Sequence, residues 1–138
     1  MANPNILNIS SIYGQTGYVI PNSTAANTTW QYANGTQLTG LTPASGTVNR
    51  LISLTATNVT ANIANCNVSI NNATAGSGVA FRIAAQIVIP GTSSLVLVDK
   101  LSPIYITENQ SLVVTSSVAS AIEFVASFEQ IKIGRAHV

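Results

Sequence analysis

Hydrophobic and polar residues alternate with a period of two through much of the second half of the chain. Phe81, Ile83, Ala85, Ile87 and Ile89 fall on one face of an extended segment, with Arg82, Ala84, Gln86 and Val88 on the other. That is the pattern of a half-buried strand. Pro90 ends it, because proline has no N–H to give a sheet ladder. Leu95, Leu97 and Leu101 then alternate with Val96 and Val98, with a break at Asp99-Lys100. Pro103 opens a third segment, Ile104-Tyr105-Ile106, and Glu108-Asn109 turns it into Leu112-Val113-Val114. Asn109 is expected at positive φ, which asparagine tolerates better than most residues.

The first half is more heavily punctuated. The opening segment Asn5-Ile6-Leu7-Asn8-Ile9-Ser10-Ser11-Ile12-Tyr13 is β-prone and is expected to stop at Gly14. It reads as an edge strand, or as an arm over residues 1–15 that pairs with a neighbour. Its apolar positions Ile6, Ile9, Ile12 and Tyr13 are candidate assembly contacts. Asn34-Gly35, between Thr29-Trp30-Gln31-Tyr32 and Thr36-Gln37-Leu38, is a strong hairpin signal, since a type I′ turn needs positive φ at both central residues. Trp30 and Tyr32 share a face of that hairpin, as sheet-packing aromatics or as contacts for a sugar. Residues 47–57 form another strand, with Ile52, Leu54 and Ala56 on one face and Leu51 on the other. A loop or long hairpin over 58–65 leads to a strand at 66–71.

Residues 121–131 admit two readings. A helix would group Val118, Ile122, Val125 and Phe128, whereas a strand places Ile122, Phe124, Ala126 and Phe128 inside and Glu123, Ser127 and Glu129 outside. The strand separates charge from hydrophobe more cleanly and is the expectation. About eight short antiparallel strands without a convincing helix point to an all-β fold, a single β-sandwich or jelly-roll-like domain over residues 16–132.

Composition sharpens this. Only 7% of the 138 residues are charged, against about 25% in ordinary soluble domains. Yet 46% are hydrophobic, too many for a disordered chain. A net charge of +1 provides no basic footprint for nucleic acid or an anionic membrane. No stretch approaches the roughly 20 apolar residues of a spanning helix, and the N-terminus has no basic, apolar signal region. The expectation is a soluble protein made in a cytosol and not inserted in a membrane. Eight Asn-X-Ser/Thr sequons, at Asn8, Asn22, Asn27, Asn34, Asn58, Asn67, Asn72 and Asn109, are what so much Asn, Ser and Thr produces by chance. A lone cysteine, Cys66, cannot form an intramolecular disulfide and reads as a small buried hydrophobe.

Residues 133–138, Ile-Gly-Arg-Ala-His-Val, match a one-frame translation of a common sequencing adapter. They are expected to be an artefact of a marine metagenome assembly that replaces the natural C-terminus, and they leave the fold argument. They carry the single histidine, His137. Without it no Ser-His-Asp or Cys-His catalysis and no ordinary transition-metal ligand set can be assembled. Of the carboxylates, Glu123 and Glu129 alternate with an apolar face and do not flank a cleft as a glycosidase pair would. Asp99 and Glu108 lie in turns, where a scattered Ca²⁺ site with nearby carbonyls is conceivable, but no loop supplies oxygens at regular spacing. Gly76-Ser77-Gly78 lacks the lysine and helix of a phosphate loop. The expectation is no catalysis, no cofactor and no resident metal.

Several stretches resemble small virion structural proteins of marine T4-like tailed phages, the cyanophage type. They are the opening Met-Ala-Asn-Pro-Asn-Ile with Ser-Ser-Ile-Tyr-Gly-Gln-Thr, then Ile89-Pro90, Leu95-Val96-Leu97-Val98-Asp99-Lys100, Ser102-Pro103-Ile104-Tyr105-Ile106, Ser111-Leu112 and the late pair Phe128-Glu129. The likeness covers residues 1–16 and about 79–131. Where such proteins carry an acidic-Gly turn, this chain has Thr107-Glu108-Asn109-Gln110. The resemblance implies a β scaffold in a virion: a capsid decoration or head/tail accessory subunit that partners copies of itself or other virion proteins. A tail-fibre or adhesin-like module binding host surface glycan is the alternative, with Trp30, Tyr32 and Tyr105 as candidate ligand contacts. A nearly uncharged polar surface suits high salt, where ion pairs are screened within about 3 Å near 1 M.

Overall fold

The computed structural model describes residues 9–21, 29–32 and 37–133. Its longest strand pairings run through 121–131, the segment expected as a strand over a helical alternative. In chain order the strands are β1 (Ile9–Val19), β2 (Thr29–Tyr32), β3 (Gln37–Thr39), β4 (Thr47–Asn58), β5 (Ala64–Asn71), β6 (Ala80–Ile89), β7 (Ser94–Val98), β8 (Ile104–Ile106), β9 (Ser111–Ser116) and β10 (Ile122–Ile133). A single turn of 3₁₀ helix, Thr74–Gly76, precedes β6. Among the described residues ten strands stand where about eight were expected, because β2, β3 and β8 are pieces of three or four residues.

Seven strands form one antiparallel sheet in the order β3-β2-β1-β10-β4-β7, with β8 also on β4; β6-β5-β9 form the other. The arrangement is an all-β sandwich. β4 holds β7 along 54–57 and β8 along 49–51. One core joins the sheets: Leu51, Leu54, Ala56, Ile122, Phe124, Ala126 and Phe128 from the larger, and Cys66, Val68, Ala84, Ile89, Leu112 and Val114 from the smaller. The four β10 positions expected inside, Ile122, Phe124, Ala126 and Phe128, are all buried. A strand flanked by β1 and β4 along its length needs period two to face one core, and the sequence has it.

Elsewhere β-bulges reset the period. In β4, Ser53 opposes Ser127 but Leu51 opposes Phe128, so Ile52 is an extra residue. A one-residue insertion reverses the faces beyond it. Leu51 therefore enters the core together with Leu54 and Ala56, while Ile52 is only partly buried, opposite to the uninterrupted alternation. β6 departs further. Its pairing with β5 shifts twice, between Ile87 and Ala84 and between Ala84 and Arg82. Ile87 and Ile89 keep the expected side, but Ala84 replaces Ala85 in the core and Phe81 is exposed. At the first shift Gln86 takes φ +49°, and its N–H is recovered by Asn67 Oδ1 at 2.8 Å. In β7, Leu97 is the extra residue and Val98 is buried; Leu101 lies beyond the strand, exposed.

Three smaller expectations change as well. β1 does not stop at Gly14 but continues to Val19, paired with β10 up to Val19↔Phe124. Long pairing on a central strand outweighs the local weakness of glycine. β2 and β3 do form an antiparallel hairpin, but Trp30 opposes Leu38, whereas a two-residue Asn34-Gly35 loop would set it opposite Thr39; the loop itself lies outside the described residues. Asn109 is absent from the positive-φ positions. The turn closes from Gln110 N–H to Thr107 O at 3.1 Å, which a type I turn achieves with negative φ at both central residues.

Candidate functional site

The larger sheet turns one face to the core and the other outward, and the pairing registers arrange the outward residues into rows. Tyr18 opposes Val125, Val125 opposes Thr55, and Thr55 opposes Val96. This row crosses four strands and stays accessible: Tyr18 is 37% exposed, Val125 43% and Val96 59%. Beside it runs a hydroxyl row, Thr16, Ser127 and Ser53, followed by Gly14, Glu129, Arg50 and Tyr105. Arg50 donates from a guanidinium N–H to Glu129 Oε1 at 3.1 Å. The last row is apolar again, Ile12, Ile131 and Val48, with Ile131 and Val48 buried and Ile12 half exposed. Two apolar rows thus flank a polar band.

The candidate assembly residues divide between faces. Ile12 belongs to this outer surface, whereas Tyr13, next along β1, points to the opposite side. Tyr13 lines a cavity of about 280 Å³ with Ala44, Ser45, Thr47, Gln130 and Lys132. Ile9 pairs through its backbone with Ile133, its side chain lying outside the described residues, as does all of Ile6. Residues 9–15 of that segment belong to β1, which lies between β2 and β10 of its own chain.

The candidate ligand contacts separate too. Trp30 is fully buried, and its indole N–H donates to Leu112 O on β9 at 3.3 Å. It ties the two sheets together and is not available as a sugar platform. Tyr32 opposes Gly17 in the β1–β2 pairing; its side chain lies outside the described residues. Tyr105 is on the outer surface, 44% exposed, opposite Arg50. No common aromatic platform is formed by Trp30 and Tyr105.

Sequence reasoning missed the row around Val125. The signal was present: Val125 is an apolar residue between Glu123 and Ser127 on the face assigned to water. What period alone could not show is that Tyr18 and Val96, far away in sequence, come level with it.

The remaining chemistry is sparse. Among the described residues no three His, Cys, Asp or Glu side chains gather as metal ligands would, and no helix is long and apolar enough to cross a membrane. Cys66 is buried in β5, and burial pushes its thiol from 9.0 up to about 11. Arg82 is exposed on β6.

No family model matches the chain, and no curated protein matches it. A solved structure of Eiger TNF from S. frugiperda aligns with a TM-score of 0.42 at 9% identity, over 92% of this chain and 96% of that one.

Proposed function

We propose that the chain is a non-enzymatic structural subunit of a tailed-phage virion, a capsid decoration or head/tail accessory protein, working through contacts made by the outer surface of its larger sheet. The observation that carries this reading is the exposed row Tyr18–Val125–Thr55–Val96, which brings three apolar side chains level across four strands. The resemblance of residues 1–16 and 79–131 to small virion proteins supports a virion part, without singling out a position on the particle. Covering three half-exposed apolar side chains is worth about 3 kcal/mol at the usual area coefficient. That is weak for one contact between two molecules. On a particle, where one copy meets several neighbours, avidity multiplies it.

The test is light scattering of the full chain together with co-sedimentation on purified phage particles, for the wild type and Val125→Glu. The wild type should self-associate or bind particles; the variant, altered at an exposed position, should keep its melting temperature and lose both. A monodisperse monomer at high concentration with no affinity for virion proteins would sink the proposal. A second reading, an adhesin-like module for host glycan, draws on Tyr105 beside the Arg50–Glu129 pair, an aromatic face next to charged hydrogen-bonding groups. Glycan-array binding that disappears in Tyr105→Ala but survives in Val125→Glu would favour it.

A further inference from the structure

The segment 40–47 runs along the turn between β8 and β9 as a strap. Leu112 N–H donates to Gly40 O at 2.6 Å, Thr42 Oγ1 donates to Gln110 O at 2.8 Å, and Gly46 N–H donates to Glu108 Oε2 at 3.3 Å. Asn49, opposite Ile106 in the β4–β8 pairing, donates its amide to Leu41 O at 2.8 Å. Asn49 and Glu108 are thus both tied to the strap, and Glu108 follows Ile106 by two residues.

Both side chains are buried, Asn49 at 0% and Glu108 at 9% exposure, and each has an oxygen without a donor: Asn49 Oδ1 and Glu108 Oε1. Turning the Asn49 amide over does not help, because Leu41 O would then lose its donor. A carboxylate buried with a single long hydrogen bond is costly, and two orphaned acceptors on residues held by the same strap call for an electron-pair acceptor.

We propose that Glu108 Oε1 and Asn49 Oδ1 are the side-chain ligands of a Ca²⁺ ion that pins the strap to the β8–β9 turn, with backbone carbonyls of the strap and water completing the shell. The donors are all oxygen, which selects a hard cation over zinc or copper. Two side-chain ligands, one on a strand and one in a turn, suit the adaptable six-to-eight coordination of Ca²⁺ better than the strict octahedron of Mg²⁺. With one carboxylate the site belongs to the weak class, with dissociation constants of about 10⁻⁴ to 10⁻³ M.

The test is thermal unfolding of the full chain with and without about 10 mM CaCl₂, against NaCl of equal ionic strength. At that excess the melting temperature should rise by about 5 °C. Glu108→Gln should abolish the rise. Its calcium-free midpoint should be no lower than that of the calcium-free wild type, because glutamine removes the buried charge while its amide oxygen can still accept from Gly46 N–H. Glu123→Gln, a carboxylate on the outer side of β10, should respond as the wild type does. Equilibrium dialysis of the wild type should find one calcium per chain, a measurement that stands even if the Glu108→Gln variant were not recovered folded. No shift and no bound calcium would overturn the site and leave the two oxygens to a bridging water. A rise retained in Glu108→Gln would overturn it equally.

Discussion

Replacing Trp30 with phenylalanine separates packing from recognition more sharply than any other single change. Trp30 is fully buried and donates its indole N–H to Leu112 O, so the residue joins β2 of one sheet to β9 of the other. Phenylalanine keeps the aromatic character and loses two things. A ring smaller by on the order of 40 Å³ leaves a void which, at ~24 cal/mol per Å³, costs about 1 kcal/mol. Losing the donor to a buried carbonyl costs about another 1 kcal/mol. The sum, about 2 kcal/mol, divided by an unfolding entropy of ~2.1 cal/mol/K per residue, lowers the melting temperature of a chain this size by about 7 °C. Calorimetry or far-UV circular dichroism is the assay, since Trp30 is the sole tryptophan and the variant loses the fluorescent reporter. The wild-type emission should in turn be blue-shifted and resist acrylamide quenching. A Trp30→Phe midpoint within 1 °C of wild type (far inside the ~7 °C expected), or a native tryptophan quenched as freely as in the unfolded chain, would refute the inter-sheet assignment.

Two further outcomes follow from local geometry. Gly40 has φ +67°, and a Cβ there would lie 2.6 Å from Ser111 Cβ; Gly40→Ala should therefore cost about 2 kcal/mol or more in denaturant unfolding, whereas Gly14→Ala, where a Cβ meets nothing within 4 Å, should change stability by less than about 0.5 kcal/mol. The buried Cys66 thiol, raised to about 11, should react with a disulfide reagent at pH 8 roughly 100-fold more slowly than in the unfolded chain. Because its folded value lies above its unfolded one, the stability this shift contributes is complete below pH 9.0 and is lost as pH rises through about 11; a urea midpoint that falls across that window in the wild type, and less in Cys66→Ala, is the check.

Much of this architecture was legible in the order of residues. The alternation Ile122, Phe124, Ala126, Phe128 could face only one core, and the structure buries all four. Pro90 and Asp99-Lys100 mark real strand ends, because a missing N–H or a charge pair cannot continue a buried ladder.

What sequence could not carry is any feature that depends on one strand's register against another. A bulge at Ile52 puts Leu51 and Leu54 on the same side although their spacing is odd, and two more shifts in β6 send Phe81 outward. Such insertions are chosen by the fit of whole strands, since a one-residue slip reverses every side chain beyond it. The outer surface was hidden for the same reason. Tyr18, Thr55, Val96 and Val125 share no local pattern; antiparallel pairing across β1, β10, β4 and β7 brings them level. The chain's own periodicity determined that it would build sheets with a buried face. Only the tertiary pairing, a long-range property set by the summed packing of many residues, decided which polar oxygens would be stranded beneath the 40–47 strap and which apolar side chains would be left facing out.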